Sequence, residues 1–197
     1  MDATRLIVVR HGETAWNVDT RIQGHLDIPL NATGLWQARQ LGDALAGEAI
    51  SAIYTSDLLR ARRTAQAVAD ATGAALVDEP GLRERAFGSF QGRTFAEVET
   101  EHPEQARRWR QRDPDYAPDG GESLRVLRER VIDTTHRLAA RHPGELVLLV
   151  THGGVLDVLY RAATGASLQD ARTWQLGNTA VNRLLWTPDS GLSLVGW

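Results

Sequence analysis

The sequence predicts an α/β fold of three layers, α/β/α, with a mainly parallel sheet and an antiparallel edge strand. Two observations carry this. Leu6-Ile7-Val8-Val9 and Leu146-Val147-Leu148-Leu149-Val150 are continuous apolar runs, the mark of strands buried on both faces. Helical stripes lie between them, and strands alternating with helices imply a parallel sheet covered on both sides.

Taken in order, Leu6-Ile7-Val8-Val9 is the first strand, and Thr33 is the expected N-cap of a helix with Leu35, Ala38, Leu41 and Leu45 on one face. Ala52-Ile53-Tyr54 reads as a shorter strand, followed by a helix striped by Leu58, Ala61, Ala65 and Val68. Residues 83–121 are the least regular and read as a polar, partly helical insertion over the active site. Leu124, Leu127, Val131 and Leu138 stripe a longer helix capped by Ser123, and Val155, Leu156, Leu159 and Ala162 stripe another. Near the C-terminus, residues 179–186 and 192–197 flank Thr187-Pro188-Asp189-Ser190-Gly191, a turn-rich run; this reads as an antiparallel hairpin at the sheet edge. Without repeats or linkers, 197 residues suit a single domain, 1–197.

Composition narrows the chemistry. There is no cysteine, so disulfides, thiolate metal sites and thiol nucleophiles are excluded. All 22 basic residues are arginine, which excludes a lysine Schiff base and a P-loop lysine. A bound phosphate must be held by arginine, histidine or backbone amides, and the planar guanidinium suits bidentate contact. The net charge of -3 argues against nucleic-acid or anionic-membrane partners. The N-terminal residues lack the plan of a signal peptide and no apolar run is long enough to span a bilayer, so a cytoplasmic location is expected.

The two best strands lead into Arg10-His11-Gly12 and Thr151-His152-Gly153. Each places a histidine and a glycine at the carboxyl end of a buried strand, where open α/β sheets bind ligands. If the strands are neighbours, His11 and His152 face one another. His102, His136 and His142 lack this setting and read as surface residues, whereas His25, beside Gln23-Gly24, lies nearer the expected pocket. Zinc would want closely spaced ligands, which are absent, and Arg10 beside His11 disfavours a cation. Arginine beside histidine suits an anion instead: phosphate oxygens accept charge-assisted bonds from guanidinium, and neutral imidazole can attack phosphorus.

Arg10-His11-Gly12-Glu13-Thr14 resembles the signature of the histidine phosphatase superfamily, which includes phosphoglycerate mutases and many small phosphatases. The likeness continues through Trp16-Asn17, Arg21-x-Gln23-Gly24, Ser56-Asp57-Leu58-x-Arg60-Ala61, Leu82-Arg83-Glu84, Gly120-Gly121-Glu122-Ser123, Val150-Thr151-His152-Gly153-Gly154 and Gly177-Asn178-Thr179. The resemblance implies that His11 is the nucleophile, that Arg10, Arg60 and His152 surround the phosphoryl oxygens, and that Asn17 donates a further hydrogen bond. Glu84 is implied as the proton donor, which requires its carboxyl to hold a proton at the start. Gln23, Gly24 and Gly153 complete the substrate-binding set. No metal and no cofactor are implied.

Arg60 is chosen over Arg62 and Arg63, and Glu84 over an ion pair with its arginine neighbours, by motif register alone. Arg21, Gln23, residues 83–121 and residues after His152 are the expected specificity determinants, with Trp16, Trp109 and Trp174 as pocket-lining aromatics. The expected activity is hydrolysis of a small phosphorylated metabolite. The alternatives are a phosphoglycerate mutase using the same phosphohistidine and an inactive phospholigand-binding protein. The resemblance implies that dedicated mutases carry a larger segment between acid and second histidine and a C-terminal tail. Glu84 and His152 are only 68 positions apart (152 − 84), and the chain stops at Trp197, so the shorter phosphatase branch is expected.

Overall fold

A computed structural model describes residues 2–197. The chain runs β1 (Thr4–Arg10), α1 (Ala15–Val18), α2 (Ala32–Leu45), β2 (Ile50–Thr55), α3 (Leu59–Thr72) and β3 (Ala75–Asp78). Two 3-10 turns, Pro80–Leu82 and Gly88–Phe90, lead to α4 (Phe95–Glu101), α5 (Pro103–Arg110), α6 (Leu124–Ala139), β4 (Leu146–Thr151), α7 (Gly153–Thr164), β5 (Val181–Thr187) and β6 (Gly191–Gly196). The six strands form one sheet in the order β3-β2-β4-β1-β5-β6. β3, β2, β4 and β1 are parallel, and β5 and β6 add an antiparallel edge.

The sheet is covered on both faces because alternate side chains of its central strands find different partners. Leu6 and Val8 of β1 and Val147 and Leu149 of β4 pack with Leu127, Val131 and Leu138 of α6 and with Val155, Leu156 and Leu159 of α7. Ile7 and Val9, with Leu148 and Val150, pack against Leu41 and Leu45 of α2 and Ala61, Ala65 and Val68 of α3. Each fully buried aliphatic side chain stabilises by roughly 1.5–3 kcal/mol. A third, smaller core of Phe90, Val98, Ala106 and Tyr116 lies within residues 83–121 and reaches Ile22 outside that segment.

Two local expectations need correction, and one strand was not anticipated. The N-cap of α2 is Asn31, whose side chain accepts the Gly34 N–H; Thr33 lies inside the first turn. Asparagine is the stronger cap, so the helix begins two residues earlier. The unanticipated strand is β3, a short and mostly exposed edge strand that carries the apolar run Ala75-Leu76-Val77. His142 is not a free surface residue: its ring bonds the Tyr54 hydroxyl at 2.9 Å and Glu145 at 2.6 Å. Ser123 caps α6 as expected. Among the described residues, no helix is long and apolar enough to cross a membrane.

Candidate active site

β1 and β4 pair in parallel with Arg10 opposite Thr151, so the next residues, His11 and His152, emerge side by side. The His11 N–H continues the ladder to the Thr151 carbonyl at 2.9 Å. The two rings lie 5.2 Å apart between centroids. β2, on the other side of β4, delivers Ser56 and then the first turn of α3 with Arg60. Three adjacent carboxyl ends of parallel strands thus converge on one point.

The backbone after His11 is held by close approaches that only glycine permits. A Cβ on Gly12 would stand 2.6 Å from the Gly34 carbonyl oxygen, and one on Gly34 would stand 2.1 Å from that of Glu13. The loop therefore lies flat on the N-terminus of α2, and the Gly12 N–H donates to Thr64 Oγ1 at 3.0 Å. His11 is 2% exposed. Its Nδ1 lies 2.7 Å from the Gly12 carbonyl, and a carbonyl only accepts, so Nδ1 carries the proton and Nε2 keeps its lone pair. Burial, then the charges of Arg10 and Arg60, hold the His11 pKa well below its ordinary value; the ring is neutral and nucleophilic at neutral pH.

The cations are placed by backbone carbonyls rather than carboxylates. Arg10 donates from Nη1 to Leu176 O at 2.8 Å, while Arg60 donates to Leu26 O and Gly24 O, each at 2.7 Å. Arg60 is 1% exposed, whereas Arg62 pairs with Asp78 at the surface and Arg63 is exposed. Burial lowers the Arg60 pKa to about 10, which still leaves the guanidinium charged at neutral pH. Arg10 Nε and Arg60 Nε are buried without a partner among the described residues; both are charged donors free for an anion. Asn17 closes a capping box with Thr14 at α1 and accepts the Thr14 N–H through Oδ1 at 3.0 Å. That bond turns its NH2 group away from Thr14. Gln23 accepts from Thr14 Oγ1 at 2.8 Å.

Glu84 does not pair with its neighbours. Arg83 binds Asp57, and Arg85 donates to the Glu122 and Tyr116 carbonyls. Glu84 Oε1 accepts the Arg85 N–H at 2.8 Å and Oε2 accepts the Gly154 N–H at 3.1 Å. Its backbone carbonyl is gripped by His25 Nε2 at 2.8 Å and Arg130 Nη2 at 3.2 Å. Arg130 was not singled out in the sequence, and no local pattern marks it.

The structure brings Arg10, His11, Asn17, Gln23, Gly24, Arg60 and Glu84 together around one cavity of about 310 Å³. His152 lies outside that lining, fully buried against His11, and Gly153 lies behind Arg10, 3.5 Å from Nε to the position of a Cβ. The outer wall is Trp16, Thr20, Arg21, Ile22 and Phe87. Of the other expected aromatics, Trp109 stacks behind Phe87 at 4.9 Å. Trp174 belongs elsewhere, stacked on Tyr160 at 3.9 Å. No residue after His152 lines the cavity; that region contributes through Leu176 and through Asn178, whose NH2 donates to His11 O at 2.8 Å. Among the described residues, no three His, Asp or Glu side chains are grouped so as to hold a metal ion.

Comparison with known proteins identifies the family. The family model described as the histidine phosphatase superfamily (branch 1) matches residues 6–197. Phosphoglycerate mutase-like protein 4 of Arabidopsis thaliana is 39% identical over 92% of this chain and 79% of its own length. The metal-independent phosphoserine phosphatase of the same plant is 37% identical over 100% of this chain and 86% of its own. Among solved structures, Bacillus stearothermophilus YhfR superposes with a TM-score of 0.90 at 32% identity, covering 98% of this chain and 96% of its own. A mycobacterial glucosyl-3-phosphoglycerate phosphatase superposes with a TM-score of 0.87 at 31% identity, covering 99% and 98%. The chain belongs to branch 1 of the histidine phosphatase superfamily.

Proposed function

We propose that this chain is a metal-independent phosphomonoesterase that hydrolyses a small phosphorylated metabolite through a phosphohistidine on His11. The observation that carries the reading is the Nδ1 bond of His11 to Gly12 O, which leaves the Nε2 lone pair for the Arg10–Arg60 cavity. Nε2 attacks phosphorus and the P–O bond to the leaving group breaks; the departing oxygen takes the Glu84 proton. Water then attacks the phosphohistidine and yields its proton to the Glu84 carboxylate as the N–P bond breaks. Arg10, Arg60, His152 and the Asn17 amide oppose the charge on the equatorial oxygens. Two guanidiniums beside the nucleophile supply the positive charge that a metal supplies in other phosphatases.

In this reading residues 1–197 act as one catalytic domain, with residues 83–121 walling the substrate end. The protein acts in the cytoplasm, with no cofactor and no nucleic-acid or membrane partner. The 68 positions between Glu84 and His152 (152 − 84), few for the mutases of the family as the resemblance implies, support water as the phosphoryl acceptor.

The test is phosphate release from a panel of phosphomonoesters with EDTA and with 2,3-bisphosphoglycerate added or withheld. Release unaffected by either, and lost in His11→Ala together with an acid-labile, alkali-stable phosphoenzyme, is expected. Loss on chelation with rescue by magnesium sinks the metal-free mechanism. Isomerisation of phosphoglycerate that depends on the bisphosphate assigns the chain to the mutase alternative.

A further inference from the structure

His152 Nε2 lies 2.8 Å from Ser56 Oγ. Either atom can donate in such a pair, and the hydrogen-bonding needs of the Ser56 hydroxyl decide between them. Ser56 is fully buried and has no contact with bulk solvent. Its oxygen already accepts the Leu58 N–H at 3.3 Å. Its hydrogen needs an acceptor, because a buried O–H left unpaired costs about 1–3 kcal/mol. Among the described residues the one acceptor bonded to Ser56 Oγ is His152 Nε2.

We propose that Ser56 donates to His152 Nε2 and thereby fixes His152 as the neutral Nδ1–H tautomer, a positioned N–H donor to the transferring phosphoryl group. His152 Nδ1 is buried and has no partner among the described residues, so its hydrogen is uncommitted and its ring stands against that of His11. Burial and the nearby charges of Arg60 and Arg10 keep the ring neutral. The two histidines then share one tautomer and do opposite work. His11 spends its Nδ1–H on Gly12 O and presents a bare Nε2; His152 spends its Nε2 lone pair on Ser56 and presents an N–H. With the other tautomer, His152 would turn a lone pair on a phosphoryl oxygen. Ser56 is in this sense a positioning residue, acting through His152. The role given to His152 rests on the function proposed above, whereas its tautomer does not.

The test is therefore read first on the resting protein. Nitrogen-15 histidine correlation spectra, with His152 assigned by its loss in His152→Gln, should show a protonated Nδ1 and an unprotonated Nε2 near neutral pH. A protonated Nε2 overturns the proposal, whether or not the protein is a phosphatase. In Ser56→Ala the fixed tautomer should give way to a mixture. kcat and vanadate affinity should each fall about tenfold, part of the roughly 10²–10³-fold that a whole oxyanion donor contributes. Ser56→Thr, which keeps the hydroxyl, should retain the Nδ1–H signal. Unchanged kcat and vanadate affinity in Ser56→Ala would equally refute the assignment.

Discussion

Glu84 approaches the N-terminus of α7 so closely that one added methyl group should separate folding from catalysis. A Cβ built on Gly154 stands 2.2 Å from Glu84 Oε1, 3.2 Å from its Cδ and 3.5 Å from Oε2. Ordinary van der Waals contact begins near 3.4 Å, so in Gly154→Ala the carboxyl must retreat by about 1 Å. The atom in the way is the free end of a flexible side chain, so it swings aside rather than unfolding the helix. Alanine is also the better helix former by about 0.8–1.0 kcal/mol, which offsets the lost bond to Oε2. The melting temperature should stay within a few degrees of wild type. Catalysis has no such tolerance: a misplacement of about 1 Å costs on the order of 100-fold, or about 2.7 kcal/mol in the barrier.

Leaving-group dependence reads this out. An alkyl phosphate needs a proton delivered to its departing oxygen, whereas p-nitrophenyl phosphate does not. kcat/KM, which reports phosphoryl transfer to His11 and not the later hydrolysis, should fall about 100-fold for the alkyl ester and far less for the nitrophenyl ester. Wild-type kcat/KM on the alkyl ester in a folded Gly154→Ala protein would remove Glu84 from the role of proton donor.

His11 and His152 both have pKa values held well below the ordinary 6.5, first by burial. The unfolded chain therefore binds protons that the folded one refuses, and stability should fall as pH drops below about 6.5, by up to roughly 2.7 kcal/mol per pH unit for the pair. Melting curves between pH 7 and 5 should show that decline, and His11→Gln should flatten it; a melting temperature that rises on acidification would contradict the neutral assignment. Asp157 is almost fully buried and binds Arg112, Arg161 and Arg172 at once, at 2.7, 2.9 and 2.9 Å. Asp157→Asn leaves three guanidiniums without their counter-charge, and calorimetry should show a loss of about 3–5 kcal/mol, roughly 10 °C; a loss below about 1 kcal/mol would mean that other groups satisfy the arginines.

The legibility of the site follows from how local each cause is. His11 and His152 could be paired from the sequence because buried parallel strands leave an unbroken apolar run, and the residue after the run has a known place. Arg60 carried a local signal that motif register replaced. Thr64 and Val68, four and eight positions on, are buried on the same helical face, while Arg62 and Arg63 point outward. Glu84 had no such signal. What singles it out is the N–H of Gly154, 70 residues away, and the grip of Arg130, 46 residues away, on its carbonyl. β3 was missed although Ala74-Ala75-Leu76-Val77 is apolar, because a run that short after a helix is not told from the helix end by periodicity alone.

The same distinction separates the two ends of the cavity. The phosphoryl end rests on strand termini and first helical turns, where His11, Arg60 and His152 are at most 2% exposed. The outer wall rests on loops that hold one another: Ile22 N–H bonds Arg93 O at 2.9 Å and Gly92 N–H bonds Ile22 O at 2.8 Å. Phe87, in the same wall, leans on Trp109. These loops share the small core around Phe90 and Val98 and not the cores beneath the sheet. A substitution at Trp16 or Phe87 can therefore reshape the substrate end without moving the strand termini that hold the nucleophile. The wall touches the phosphoryl end where Gly24 O and Leu26 O hold Arg60 and His25 holds the Glu84 carbonyl. Under the proposed function, a substitution at Phe87 should therefore change substrate preference more than it changes turnover of a minimal phosphate ester.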